Sequence, residues 1–181
     1  FPYTTLFRSV YADAPLSRQY IFVDAVTGEI LMTLNRIEDV NTPATAMTQY
    51  SGARTIITDS FAGGYRLQEN DRGGGMKTYN NLTQPNATGT TDFTNATTTW
   101  NNVNAQMDEY ATDAHFGAEK TWDYYDSTFN RNSIDDAGLT LISYVHVDVN
   151  MVNAFWDGTE MNYGDGDQTQ GYNPLTTLDV A

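Results

Sequence analysis

Few residues in this chain could carry chemistry. His115 and His146 are its two histidines, and it has no cysteine. A catalytic zinc takes three protein ligands, commonly including two histidines four positions apart on one helix face. These two fall on what read as a helix and a strand, so both read as structural, His115 packing at the start of its helix and His146 on a strand face. Serine and aspartate are too plentiful for a hydrolytic triad to be singled out around either. What remains is NAFWDGTEMNYGDGD (residues 153–167), which crowds Asp157, Glu160, Asp165 and Asp167 among glycines and aromatics. Its spacing admits a calcium ion, though without the regular ligand series of the helix-loop-helix motif. The pattern favours the plainer alternative, a solvated turn with Gly164 and Gly166 at positive φ.

The elements that would position these residues follow from periodicity. Residues 20–34, YIFVDAVTGEILMTL, are two apolar runs around Thr27-Gly28 and predict a β-hairpin. RIEDVNTPATAMTQ (36–49) has a proline, small residues and no period, the composition of a linker. Short β segments follow from Tyr50 to Thr99. There Gly73–Gly75 suit a hairpin turn or bulge, because no Lys-Ser/Thr completes a phosphate cradle. The sequons at Asn81, Asn86 and Asn95 lie in an Asn/Thr-rich tract, where turn chemistry produces such triplets freely.

In residues 111–129, Ala114, Ala118, Trp122, Tyr125 and Phe129 recur at steps of three and four, predicting a helix with that apolar face. Thr112 could cap it, Asp113 would sit at its positive end, and Asn130 could close it. In Leu139–Phe155, Val145, Val147, Val149 and Met151 alternate with His146, Asp148 and Asn150, the period of a half-buried strand. The C-terminal PLTTLDVA reads as the first turn of a helix.

Charge narrows the partners. Nine Lys and Arg oppose 23 Asp and Glu, a net charge of −14, which repels phosphate and argues against nucleic acid or an anionic membrane. No apolar run reaches the roughly 18 residues of a membrane span. The opening FPYTTLFRS can be encoded by TTT CCC TAC ACG ACG CTC TTC CGA TCT, the run of a common sequencing adapter. Residues 1–9 are therefore expected to be a cloning or assembly scar.

Three stretches, DAHFGAEKTWDYY, SYVHVDVNMVNAFWDGTEMNYGDGD and LTTLDVA, in this order and spacing, resemble the N-terminal half of the catalytic domain of thermolysin-like zinc metallopeptidases, the bacillolysin or neutral protease family. YRLQENDRGGGMKTYN is similar to that domain's early β-hairpin, and YIFVDAVTGEIL to the end of the family's propeptide. The resemblance implies an α+β fold: a β-rich N-terminal domain with a twisted, mostly antiparallel sheet and one long helix, preceded by a propeptide β-hairpin. Residues 10–45 would be propeptide end and linker, and 46–181 the truncated catalytic portion.

It also implies a secreted, extracellular zinc endopeptidase that cleaves internal bonds of protein or peptide substrates, with its own propeptide as inhibitor and chaperone. In the family, His-Glu-x-x-His follows shortly after a segment like LDVA. That motif is absent here, so the fragment would lack the zinc site and be inactive. By resemblance, Asn153 (side chain and backbone), Ala154 (carbonyl) and Trp156 (backbone) contact substrate as an edge strand, and Phe155 belongs to the core. Asp179 falls on a ligand of calcium ions whose other ligands lie downstream. A further calcium run, Asp-x-Asp-x-Gln after a tryptophan, is represented by Asn102, Asn104 and Gln106, whose amides attract a hard cation less. The competing expectation is a non-enzymatic β module that binds extended peptides or assists folding. A third is that the fragment does not fold stably alone, because apolar surface normally covered by the metal-binding helix would be exposed.

Overall fold

A computed structural model describes residues 5–13, 16–35, 40–61, 63–85, 89–101 and 107–180. The chain separates into two compact units, Phe1–Val40 and Asn41–Ala181.

The first unit is a three-stranded antiparallel sheet in the order β1 (Thr5–Asp13), β2 (Leu16–Asp24), β3 (Ile30–Asn35). The predicted hairpin is its β2–β3 half. At its turn the Asp24 carboxylate accepts the N–H groups of Val26 and Thr27, each at 2.8 Å. This is the Asx turn that such a residue favours. Strand β1 was not expected, and its pairing passes through Ser9↔Tyr20 and Val10↔Gln19 without a break.

In the second unit come β4 (Val40–Thr48), β5 (Gly52–Phe61), β6 (Gly64–Arg66), β7 (Gln68–Glu69), β8 (Met76–Asn80), β9 (Thr91–Asp92), β10 (Thr94–Asn95) and β11 (Thr99–Trp100). After them follow α1 (Glu109–Phe129), β12 (Leu141–Val147), β13 (Ala154–Trp156) and β14 (Met161–Gly164). One sheet has the order β10-β6-β5-β4-β11 and the other β13-β14-β12-β8-β7, with β9 also paired to β8. Antiparallel pairs predominate, yet β12 is parallel to both its neighbours, β8 and β14. The result is the expected α+β fold, with mixed sheets and one long helix. The glycines at 73–75 form the turn of the β7–β8 hairpin, as predicted.

Four local expectations are corrected. The linker assigned to 36–49 is, over residues 40–48, strand β4, in which Ala44, Ala46 and Thr48 alternate inward; residues 36–39 lie outside the described set. Small residues suit its inward face because Ala44 and Ala46 sit in the core cluster with bulkier residues such as Ile56 and Trp100. The helix starts at Glu109, and Thr112 does not cap it: the Thr112 hydroxyl donates back to the Glu109 carbonyl at 2.8 Å inside the first turn. Nor does the apolar face govern burial along the whole helix. Residues 109–117 are buried on every side, whereas Tyr125 and Phe129 near the C-terminus are exposed. Last, the strand predicted over 139–155 stops at Val147, where positive φ at His146, Asp148 and Asn150 breaks the alternation and leaves Val149 exposed.

The second unit's core lies between the sheets and the first half of α1. Ile56, Leu67, Phe93, Trp100, Val145 and Tyr163 form it around Ala111 and Ala114, whose small side chains let the helix approach closely. Asp113, expected only to favour the helix dipole, is buried and accepts the N–H groups of Gln49 (2.6 Å) and Tyr50 (3.0 Å), bonding the β4–β5 turn to α1. Burial pushes its carboxyl upward despite those bonds.

Candidate functional site

Strand β13 stands at the end of its sheet's order, with β14 as its one sheet neighbour there. Its register is Ala154↔Tyr163, Phe155↔Asn162 and Trp156↔Met161. The Gly164 N–H donates to the Asn153 carbonyl at 3.0 Å and the Asp157 N–H to the Glu160 carbonyl at 3.1 Å. In an antiparallel ladder the paired groups alternate residue by residue. Asn153, Phe155 and Asp157 therefore turn their backbone toward β14, and Ala154 and Trp156 turn theirs to the open side. A row of outward N–H and C=O groups can accept one more strand.

The side chains divide by the pleat. Ala154 packs against the core, and Phe155, on the other face, is 39% exposed, so Phe155 is not the core residue expected. Trp156 is 40% exposed and, with Ala118, Thr121, Ile134, Leu141 and Met161, lines a groove of about 250 Å³ between α1 and the sheet edge. Asn153 is exposed, but its carbonyl is committed to Gly164, which leaves its side chain as the available half of the expected contact.

The acidic loop resolves into separate roles. Asp157 accepts the N–H groups of Thr159 (2.9 Å) and Glu160 (2.8 Å) and the side chain of Asn162 (3.1 Å). Those backbone bonds hold its carboxyl well below the usual range, at about 2. Asp167 accepts from Thr169 and Gln170 in the same manner. Gly166 has the left-handed φ expected (71°), whereas Gly164 lies within β14 and is required for space: the Met151 carbonyl oxygen is 2.2 Å from where its Cβ would stand. Asp165 is held by a ring nitrogen of His146.

A second polar centre lies under the sheet and was not anticipated. His115 is fully buried. Its Nε2 is 2.9 Å from the Ile57 carbonyl and its Nδ1 2.9 Å from the Thr78 hydroxyl. A carbonyl only accepts, so Nε2 carries the proton and Nδ1 accepts from Thr78. Burial lowers this histidine to about 4. One helical turn on, buried Glu119 accepts the Ile57 N–H at 2.7 Å, and burial raises its carboxyl to about 7. Arg72 lies 3.6 Å from Glu119 and donates to Asp123 at 2.7 Å; Glu69 accepts the N–H groups of Asp71 and Arg72. The i, i+4 pair His115/Glu119 was visible as a spacing, but only long-range packing reveals that it is buried.

These groups do not assemble a metal centre. Among the described residues, no three His, Asp or Glu side chains converge on a point that could hold a metal ion. His115 and His146 lie on different elements, and their rings are engaged by protein partners. Asp179 accepts the Thr177 hydroxyl in a single turn closed by the Val180 N–H to the Thr177 carbonyl at 2.9 Å, a lone carboxylate that does not fit a calcium ion by itself. The expected run at Asn102, Asn104 and Gln106, and the sequon at Asn86, fall outside the described residues. Asn81 is buried, its amide donating to the Gln84 carbonyl, and the Asn95 amide donates to the Thr99 carbonyl at 2.7 Å, so both do turn chemistry. No helix among the described residues is long and apolar enough to cross a membrane.

A β-rich α+β unit with an open edge strand beside one long helix is the architecture of a peptidase domain that the sequence resembles, and the chain belongs to the thermolysin metallopeptidase family, whose catalytic-domain model matches residues 43–181. It is similar to a transglutaminase-activating metalloprotease of Streptomyces mobaraensis, 37% identical over 99% of this chain and 23% of that protein. It is also similar to a bacillolysin of Bacillus cereus, 34% identical over 87% of this chain and 32% of that protein. Among solved structures, the precursor of protealysin, a metalloproteinase from Serratia proteamaculans, matches 58% of this chain and 31% of its own at 29% identity, with a TM-score of 0.47. The chain thus spans about a quarter to a third of the length of the curated relatives it matches.

Proposed function

We propose that the second unit is the β-rich N-terminal part of the catalytic domain of a secreted, zinc-dependent metalloendopeptidase, and that its β13 edge receives the protein substrate. The register of β13 carries this reading, because it turns the backbone groups of Ala154 and Trp156 away from the sheet. An extended peptide adding there is held by main-chain bonds that do not depend on its sequence, as an endopeptidase requires. The Asn153 side chain stands beside the edge as a further polar contact.

Zinc, when bound in such an enzyme, polarises the peptide carbonyl and activates a water for attack. Its ligands would come from a His-Glu-x-x-His helix and a later glutamate outside residues 1–181, so these residues alone are expected not to hydrolyse peptides. Asp179 would complete a calcium site with ligands from the same outside portion. Residues 10–45 would be the end of the propeptide and its linker, serving as inhibitor and folding aid.

The nucleotide sequence on both sides of the frame supplies the test. The full-length product is expected to encode His-Glu-x-x-His and to cleave peptides in a manner lost to a chelator and restored by zinc. Trp156→Pro removes one outward N–H and leaves the bonds of β13 to β14 in place, so compared with Trp156→Ala, which keeps that N–H, it should lower kcat/KM by roughly 10- to 100-fold with melting little changed. Full activity in that variant, or cleavage that survives chelation, would refute the reading.

A further inference from the structure

At the end of β12, His146 takes a left-handed φ of 61°, a conformation that costs a non-glycine residue energy and persists only where its surroundings impose it. A bulge accompanies it, since Val145 faces Tyr163 and Val147 already faces Gly164. Together they turn the ring into the interior, where the residue is 3% exposed and the edge of Phe93 closes over it at 5.6 Å between centroids.

Two carboxylates meet the ring. Nδ1 is 2.5 Å from Asp165 Oδ1, in the loop after β14, and Nε2 is 3.5 Å from Asp108 Oδ1, immediately before α1. Asp165 also acts on Tyr110, whose hydroxyl is pushed up by burial and by the carboxylates of Glu109, Asp113 and Asp165. Asp148, on the histidine's own segment, accepts the Val149 N–H instead. A neutral imidazole has one N–H and could satisfy one carboxylate; only the cation has a proton for each. Burial opposes that charge, but the attraction of the nearby Asp108 carboxylate and the hydrogen bond and attraction of Asp165 outweigh it and raise the ring to about 9.

Asp165 lies between two residues that carry the approach to the edge strand: the Gly164 N–H donates to the Asn153 carbonyl at 3.0 Å and the Gly166 N–H to the Met151 carbonyl at 2.9 Å. We propose that the His146 imidazolium is a positioning residue for β13: by clasping Asp165 toward the start of α1, it fixes the loop to which residues 151–153 are bonded and so sets where the outward groups of Ala154 and Trp156 stand. The purpose of that placement rests on the substrate-edge reading; the clasp itself does not. Because the folded value exceeds the ordinary 6.5, the clasp is complete below pH 6.5 and fades as pH rises through about 9.

The test is a proton NMR titration of both histidines in the 181-residue chain, with amide-exchange protection of Gly164 and Gly166 followed beside Thr78, whose N–H donates to the Leu67 carbonyl elsewhere in the sheet. One ring, absent in His146→Gln, should titrate near 9, well apart from His115 near 4. Above that pH, protection corrected for intrinsic exchange should fall about tenfold at Gly164 and Gly166 and hold at Thr78. Asp165→Asn should move the ring toward 6.5 and produce the same local loss at pH 7. A ring titrating at or below 6.5, or equal loss at all three amides, would overturn the proposal and leave His146 a core residue. No peptide enters these measurements, so their outcome is independent of the Trp156→Pro assay.

Discussion

At the scale of single residues, the buried polar groups have opposite effects on the response to pH. His115 is held neutral, with a folded value of about 4 against an ordinary 6.5. Its contribution to stability is therefore present at neutral pH and is lost as pH falls from 6.5 through 4. Glu119 is raised from 4.5 to about 7, so the folded state keeps a proton that the unfolded chain releases, and its contribution is lost as pH rises over that interval. Glu119→Gln should therefore flatten the fall in stability between pH 5 and 8, seen as a smaller difference in urea midpoint across that range. Thr78→Val leaves the His115 Nδ1 without its donor and should cost about 1–3 kcal/mol by the same denaturation. Little of this was legible in the sequence. A histidine at the start of a helix suggested packing, but Thr78 and Ile57, its actual partners, are remote in the chain and meet it only through folding.

At the scale of elements, the segments whose pattern is local were legible. The β2–β3 hairpin, the glycine turn before β8, the long helix and its end at Asn130 follow from turn residues and from a period near 3.6. Asn130 closes α1 at φ 52°, its N–H returning to the Asp126 carbonyl at 2.8 Å. Asn130→Val should then lower stability by about 1 kcal/mol and Asn130→Gly hardly at all, which thermal melting can compare. What stayed hidden depended on partners. Val40–Thr48 has a linker's composition and becomes a strand because β5 and β11 flank it, and His146 broke the alternation of β12 because two carboxylates and a bulge draw its ring inward. The candidate edge was placed from the NAFW motif by family likeness; which backbone groups face outward, and that the Asn153 carbonyl is already committed, needed the register.

At the scale of the whole molecule, the two units divide at Val40 and Asn41. A chain starting at residue 40 should melt cooperatively, whereas one starting at residue 46 would lack most of β4, including buried Ala44, and should show no cooperative transition by circular dichroism. A final consequence concerns how this topology is reached in time. Strand β12 lies parallel against β8, Leu141 opposite Met76, with α1 in the span between them. No tight turn can join parallel neighbours, and closing so long a span costs chain entropy before any contact rewards it. On a ribosome β8 therefore emerges with its future neighbour not yet made, and the central pairing is a late, slow event of the kind that benefits from a protecting escort.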